Sequence, residues 1–145
     1  MKYLKIYEEF TDHISVKDLE VKDSTIPNSG KGLFTLVDIP KDTPIVEFTG
    51  KKISQKRADR LTGSKSEYLI ELSDGSLLDV YESKSVAKYA NDAAFSGGKN
   101  NSEIQEFEGN KIWLVSTKKI KAGQEVFCSY GKEYWESWKK QNSKS

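Results

Sequence analysis

Residues 123–131 read Gly-Gln-Glu-Val-Phe-Cys-Ser-Tyr-Gly, and they begin with the last residue of the turn Lys121-Ala122-Gly123. A run of apolar and aromatic residues bounded by glycine predicts a strand over residues 125–130. A strand that ends in Tyr-Gly is too common to indicate a function by itself. Its meaning therefore depends on the segments that precede it in the chain.

Three upstream segments also contain turn residues or end a predicted element. Residues 29–34 read Ser-Gly-Lys-Gly-Leu-Phe, residues 47–50 read Glu-Phe-Thr-Gly, and residues 88–93 read Lys-Tyr-Ala-Asn-Asp-Ala. Gly30 and Gly32 would allow a turn and a close approach of the backbone to a neighbouring group, because they lack a Cβ atom. A plain turn between two strands explains the same glycines when they are considered alone.

The remaining chain consists of short extended segments separated by turn residues, which favours a mostly β fold with several small sheets and short helices. A serine-capped helical segment is predicted over residues 54–60, a short helix over 85–91 and a loop over 95–101. Strands are predicted at residues 19–21, 33–37, 45–49, 68–72, 77–80, 103–107 and 112–116.

The length of 145 residues and the ordinary composition are typical of one globular domain. The sequence contains neither an apolar stretch long enough for a membrane helix nor a secretory signal, so we expect an intracellular protein without a membrane partner. Cys128 is the single cysteine, which excludes an internal disulfide framework and a cysteine-rich zinc cluster, and no metal site is expected. His13, the single histidine, is interpreted as a surface residue.

The formal net charge is +1, so a direct nucleic-acid partner is not expected. The distribution of charge is nevertheless uneven, and it leaves two interpretations open: a solvated surface, or a basic surface that recruits an acidic partner. The basic residues gather at Lys51, Lys52, Lys56, Arg57 and Arg60, and again at Lys118, Lys119, Lys121, Lys132, Lys139 and Lys140.

Taken in order, residues 29–34, 47–50, 88–93 and 123–131 resemble the motifs of the SET-domain family of protein-lysine methyltransferases. Each motif alone is a weak indication of the family, whereas the four motifs in this order and spacing are specific. Together they span most of the chain. The resemblance implies a SET-domain fold, in which several small sheets surround a pseudoknot-like crossing. The segment that ends in the Tyr-Gly pair would pass beneath the loop that holds Asn91.

The resemblance also implies a division of the chain. Residues 19–131 would form the SET domain, and residues 1–18 would form an N-terminal extension packed on it. Residues 132–145 would form an aromatic C-terminal segment that closes the site and is disordered at its end. Tyr134, Trp135 and Trp138 lie at helical spacing in this segment, and packing in the core explains them as well as a role at the site does.

The implied reaction is the transfer of a methyl group from S-adenosylmethionine to the ε-amine of a protein lysine. Because the cofactor brings the electrophile, the protein needs to supply alignment, a neutral amine and a dry channel, without a metal or a covalent nucleophile. Tyr130 corresponds to the central catalytic residue. A tyrosine near its ordinary pKa of about 10 is a poor base at neutral pH, so we expect it to orient the amine while the proton leaves through water.

Other residues correspond to the family's cofactor site. The backbone of Lys31 would bond to the cofactor, and Asn91 would hold its amino-acid end, with Asp92 in place of the usual histidine. Local turn capping by Asn91 and Asp92 is the structural alternative, as burial in a strand is for Tyr68. The expected cofactor-binding set is Gly30, Lys31, Gly32, Tyr68, Asn91, Asp92 and Trp135.

Phe48, Cys128 and Tyr134 correspond to positions of the channel that admits the target lysine. Phe48 stands where many members carry a second tyrosine, and Cys128 stands where a Phe or Tyr often influences the number of methyl groups transferred. A cysteine is smaller than either aromatic residue. Higher methylation states are therefore expected to be sterically allowed.

Three classes of function are considered. The leading one is an active protein-lysine methyltransferase that acts on a basic, lysine-containing protein segment, with a histone tail favoured; it would be nuclear for a histone substrate and cytoplasmic otherwise. The second is a catalytically weak or inactive SET-like interaction module, which Phe48 and Asp92 support. The third is a small β-barrel adaptor for peptides or nucleic acids. Cofactor binding separates the third class from the others, and turnover separates the first two. The oligomeric state is left open, with a homodimer possible.

Overall fold

The computed structural model describes residues 14–60 and 69–129. Short strands in these residues form three small sheets, with one short α-helix and several 3₁₀-helices between them, which confirms the mostly β fold. The strands are β1 (Leu19–Asp23), β2 (Lys31–Thr35), β3 (Pro44–Phe48), β4 (Lys51–Ile53), β5 (Leu69–Glu71), β6 (Leu77–Asp79), β7 (Ser102–Phe107), β8 (Lys111–Ser116), β9 (Glu125–Val126) and β10 (Cys128–Ser129); the α-helix is α1 (Gln55–Ala58), and 3₁₀-helices lie at Val16–Asp18, Val86–Tyr89 and Ala93–Ser96.

The first sheet has β2 at its centre, between β1 and β9, and both pairings are antiparallel. Leu33 of β2 lies opposite Val21 on one side and Val126 on the other. Because side chains alternate along a strand, the fully buried Leu33 faces the core, and Gly32 and Phe34 face the opposite side of the sheet. Phe34 is buried on that side as well.

The second sheet has the order β10-β7-β8-β3. The β7–β8 hairpin turns at Gly109 and Asn110, both with positive φ, as a tight turn between twisted strands requires. β10 joins β7 in parallel, with Cys128 opposite Ser102. This parallel pairing brings the end of the chain's last described strand beside the loop that follows Asn91.

The third sheet has the order β4-β6-β5, and its strands β5 and β6 lie within the strands predicted at residues 68–72 and 77–80. β4 was not predicted, because Lys51 and Lys52 are polar and the strand has only three residues. β4 forms because it pairs with β6, which places Lys52 opposite Leu78, and not because its own sequence favours a strand. Ser54 caps α1 as predicted, since its Oγ accepts a hydrogen bond from the backbone N–H of Arg57 at 3.1 Å.

The prediction of one continuous strand over residues 125–130 is wrong, because the strand divides at Phe127 between two sheets. Val126 pairs with β2, and Cys128 pairs with β7. At the division, the Asn101 side chain donates to the carbonyl oxygen of Glu125 at 3.0 Å and accepts from the N–H of Phe127 at 2.8 Å. This amide replaces the ladder partners that a continuous strand would have had.

The segment around Asn91 lies against the same division. Phe127 forms an isolated parallel bridge with Asn91, and the N–H of Cys128 donates to the carbonyl oxygen of Asn91 at 2.8 Å. On its other side the chain bonds to β7, because the carbonyl oxygen of Phe127 accepts from the N–H of Ser102 at 3.0 Å. The chain at 127–128 thus runs between the Asn91 segment and β7, in agreement with the crossing expected from the resemblance.

One helix prediction and one loop prediction between residues 85 and 101 differ in detail from the structure. The short helix predicted over residues 85–91 is a 3₁₀-helix at Val86–Tyr89, capped by Ser85, whose Oγ accepts from the N–H of Ala87. The loop predicted over residues 95–101 begins inside another 3₁₀-helix, Ala93–Ser96. Asp92 starts that helix by accepting a hydrogen bond from the N–H of Ala94, in agreement with the alternative of local turn capping.

The hydrophobic core joins the three sheets and includes the segments that carry the candidate site. Phe48, Ala90, Val126 and Cys128 belong to this cluster, each almost fully buried. Their burial fixes the ends of β3, β9 and β10 relative to the Asn91 segment. The helices in the described parts of the chain are too short to cross a membrane.

Candidate active site

Two of the segments predicted to bind the cofactor meet in the structure. The side-chain amide of Asn91 donates from Nδ2 to the carbonyl oxygen of Lys31 at 3.0 Å, although the residues are 60 positions apart. The second contact of Nδ2 is with Glu125 Oε2 at 3.4 Å. Because both partners are acceptors, the orientation of the amide is defined, and Oδ1 points its acceptor lone pairs elsewhere.

Glu125 stabilises the contact between Lys31 and Asn91. It was not among the residues predicted from the sequence to belong to the site. It is 5% exposed. Its Oε1 accepts from the N–H and the Oγ1 of Thr25, at 2.8 and 2.6 Å, and its Oε2 accepts from Ser24 Oγ at 2.7 Å. A buried carboxylate is stable only with such partners. We refer to Lys31, Asn91 and Glu125 together as the junction.

The two glycines flanking Lys31 are required for different reasons. Gly30 has a φ of 67°, which non-glycine residues rarely adopt, and the space around it is open. A Cβ atom on Gly32 would lie 2.3 Å from Oε2 of Glu125 and 3.2 Å from the Cα atom of Ser24. Gly30 therefore permits the turn, and Gly32 makes room for the buried carboxylate.

For Asp92 the structure supports the alternative of local capping. Its carboxylate is 7% exposed, and its Oδ1 accepts from the N–H of Ala94 at 2.8 Å and from Asn100 Nδ2 at 2.9 Å. Asn100 in turn accepts from the N–H of Ala93 at 2.8 Å. The side chain thus holds the loop that follows Asn91. A contact between the Asp92 backbone and the cofactor stays a prediction.

Phe48 and Cys128, predicted to line the lysine channel, both lie in the hydrophobic core and are 2% and 0% exposed. Burial, and to a smaller extent the negative charges of Asp92 and Glu103, raise the pKa of the Cys128 thiol far above its ordinary value. The thiol is therefore neutral and unreactive, and Cys128 acts as a small apolar side chain. Whether it borders the channel stays a prediction.

Four predicted site residues, Tyr68, Tyr130, Tyr134 and Trp135, lie outside the described residues, as does His13. Tyr130 follows directly on Ser129, the last residue of β10. Among residues 14–60 and 69–129, no group of three or more His, Cys, Asp or Glu side chains is arranged to hold a metal ion.

The carbonyl oxygen of Lys31 and the outward Oδ1 of Asn91 are the functional groups that the junction offers to a ligand. Both are acceptors, so their combination is suited to an ammonium group, and the space around Gly30 is open. The fold and this geometry agree with a comparison to known families: the model of the SET domain matches residues 30–131. The chain belongs to the SET-domain family.

A curated relative of this SET domain is "Histone-lysine N-methyltransferase, H3 lysine-4 specific" from Chaetomium globosum. The two proteins are 26% identical over an alignment of 106 positions, and the alignment covers 68% of this chain. The chain matches only 10% of that relative's length. The family membership rests on the match over residues 30–131, and the relative's activity is that of a much longer protein.

Proposed function

We propose that this SET domain transfers a methyl group from S-adenosylmethionine to the ε-amine of a lysine in a protein substrate. The observation that carries the proposal is the hydrogen bond between Asn91 Nδ2 and the carbonyl oxygen of Lys31 at 3.0 Å. It joins the glycine segment to the Asn91 segment, and it leaves two acceptors beside each other for the ammonium of the cofactor's amino-acid end. When bound, the cofactor supplies an electrophilic methyl group.

The residues of the chain have distinct parts in this proposal. Glu125 positions Asn91 and, through Thr25, the loop that leads to the glycine segment. The open space around Gly30 lets the carbonyl of Lys31 approach the cofactor, and the absence of a Cβ on Gly32 makes room for the carboxylate of Glu125. Tyr68 and Trp135 complete the proposed pocket by apolar contact with the cofactor.

On the lysine side, Tyr130 orients the amine by a hydrogen bond from the amine to its hydroxyl, and Phe48, Cys128 and Tyr134 form the channel. The neutral Cys128 thiol keeps the channel wall apolar, which excludes water from the reacting amine. The amine loses its proton to water before transfer, because a tyrosine hydroxyl of ordinary pKa does not accept it at neutral pH. The small cysteine would leave space for a second and a third methyl group.

The proposed substrate is a basic segment of a protein, with a histone tail first among the candidates. The support is the distant relative, a histone-lysine N-methyltransferase specific for lysine 4 of histone H3. A histone substrate would make the protein nuclear. Half-buried carboxylates such as Glu47 on β3 and Glu103 on β7 offer negative charge to a basic peptide.

The first experiment is transfer of labelled methyl groups from S-adenosylmethionine to core histones and to other basic proteins. Tyr130→Phe is expected to lower the rate by about a hundredfold, because it removes a group that acts on the reacting amine. Tyr89→Phe is the matched control, since this residue is exposed and its substitution also removes one phenolic hydroxyl. Equal activity of Tyr130→Phe and wild type would contradict the assignment of Tyr130.

A second candidate, an inactive SET-like interaction module, is favoured by one observation. Asp92 stands where the family usually has histidine, and its carboxylate is engaged in holding the local turn. Binding of S-adenosylmethionine, measured by titration calorimetry, without transfer to any protein tested would favour this candidate. Absence of both binding and transfer would remove the proposed function altogether.

A further inference from the structure

A cleft of about 590 Å³ lies beside the first sheet. Its lining includes Phe34 of β2 and Phe127, which lies between β9 and β10. The residues that give the cleft its charge are Lys99, Lys118, Lys119 and Lys121, all of them exposed. We refer to it as the lysine cleft.

The charges of the lysine cleft are not neutralised by the neighbouring side chains that the structure describes. Ion pairs between described residues engage Lys22, Lys31 and Lys52, and none engages a lysine of the cleft. Glu125 also lines the cleft, but its two oxygens already accept hydrogen bonds from Ser24, Thr25 and Asn91. The cleft therefore has a positive potential although the chain as a whole has a net charge of only +1.

The shape and the aromatic wall narrow the class of ligand. A lysine ammonium is a point charge on a flexible stem, so four of them can follow a chain of phosphates whose spacing they do not need to match closely. Phe127 is half-buried and offers part of its ring to the cleft, which suits stacking of a base. An acidic peptide would satisfy the lysines and leave the ring without a flat partner.

We propose that the lysine cleft binds single-stranded nucleic acid, with its lysines at phosphates and Phe127 against a base. A positively charged groove combined with an aromatic ring is the usual arrangement for binding single strands without sequence preference. The carbonyl of Lys31 and the side chain of Asn91 do not line this cleft. The cleft shares Glu125 with the junction, but the two acceptors proposed to bind the cofactor are not part of its lining, and the inference does not depend on methyl transfer.

The test titrates a fluorescein-labelled ten-nucleotide oligothymidine with the full chain. Binding is monitored by fluorescence anisotropy at several NaCl concentrations. In the triple variant K118Q/K119Q/K121Q we expect affinity to fall by at least about tenfold and the slope of log K against log salt to become shallower by about 2, because each phosphate contact to a single strand contributes about 0.7 to that slope. Phe127→Leu is expected to weaken binding about fivefold, through loss of stacking.

The matched control is K51Q/K56Q/R57Q, which removes three positive charges from the basic cluster around β4 and α1. It should bind within about twofold of wild type if the effect belongs to the cleft and not to net charge. Equal losses in both triple variants, or no binding by wild type at low salt, would overturn the proposal. Displacement of the oligonucleotide by decaglutamate at equal concentration would also overturn it, and would assign the cleft to an acidic protein segment.

Far-UV circular dichroism checks that each variant is folded. Should K118Q/K119Q/K121Q lose its spectrum, Lys118→Gln and Lys121→Gln are measured singly in the same titration. Each single variant is expected to make the salt slope shallower by about 0.7. Slopes equal to that of wild type in both would refute the proposal.

Discussion

The junction and the lysine cleft share Glu125 and differ in how their polar groups are satisfied. At the junction a buried carboxylate, a side-chain amide and a backbone carbonyl are bonded to one another and to Ser24 and Thr25, all within the protein. In the cleft the lysines are exposed and have no anionic partner among the described residues. Substitutions at the junction should therefore lower stability, whereas substitutions in the cleft should change binding alone.

The largest effect is expected from Glu125→Ala. It would leave the donors of Ser24, Thr25 and Asn91 without their acceptor in a buried place, and we expect the free energy of unfolding to fall by about 3 kcal/mol. Urea denaturation, monitored by circular dichroism, measures the loss in the free energy of unfolding. Glu108→Ala, at an exposed turn between β7 and β8, is the control and should change stability by less than about 0.5 kcal/mol.

Glu125→Gln refines this test, because the amide keeps the size of the side chain and one acceptor oxygen. It should recover part of the stability and part of the affinity for S-adenosylmethionine that Glu125→Ala loses. A role of Glu125 in stability alone would leave the cofactor affinity of the folded Glu125→Gln variant equal to that of wild type. Stability losses of Glu125→Ala and Glu108→Ala that agree within error would contradict the description of the junction.

The next effect concerns Gly32→Ala, for which we expect a loss of about 2 kcal/mol, because the new Cβ would overlap Oε2 of Glu125. In a Glu125→Ala background the same substitution should cost less than about 1 kcal/mol, since the overlapping atoms are gone. Gly30→Ala is the comparison: it should cost about 1 kcal/mol in either background, owing to its positive φ. Additive costs for Gly32 and Glu125 would contradict a direct contact between them.

These two glycines also indicate how far the sequence could predict the site. The pattern Gly30-Lys31-Gly32 was sufficient to predict a turn and an accessible backbone, because those properties are local. The requirement at Gly32 could not be predicted, since it arises from a carboxylate more than 90 residues further along the chain. Glu125 was passed over for the same reason: a glutamate within a short strand gives no indication of whether its partners are solvent or protein.

The fold shows the same limit. Strands with several apolar residues, such as β3, β7 and β8, were predicted within one or two residues. The pattern of apolar and polar residues that predicts such a strand is contained in the segment itself. β4 and the division at Phe127 depend on partners elsewhere in the chain, namely β6 and the side chain of Asn101. The order of the four motifs predicted the crossing only through the resemblance, since no local pattern specifies which segment runs beside which.

A smaller effect is expected from the buried thiol of Cys128. Burial raises its pKa in the folded protein, so the thiol stays neutral while that of the unfolded chain ionises above pH of about 8.5. The unfolded state then binds fewer protons than the folded state, and stability should fall with pH by up to about 1.4 kcal/mol per unit above that value. Denaturation of wild type and Cys128→Ala between pH 8 and 10 isolates this contribution, since only wild type has it. Parallel pH profiles for the two proteins would count against a buried, neutral thiol.

The smallest effect on stability is expected in the lysine cleft. K118Q/K119Q/K121Q should leave the free energy of unfolding within about 0.5 kcal/mol of the wild-type value, because exposed side chains without ion-pair partners contribute little to the folded state. Removal of mutual repulsion would, if anything, raise stability at low salt. Urea denaturation at two NaCl concentrations measures the free energy of unfolding and its dependence on salt. A loss above about 1 kcal/mol would mean that these lysines hold the β8–β9 connection in place, and it would remove the contrast with the junction, because the cleft would then be a part of the fold and not a surface left free for a ligand.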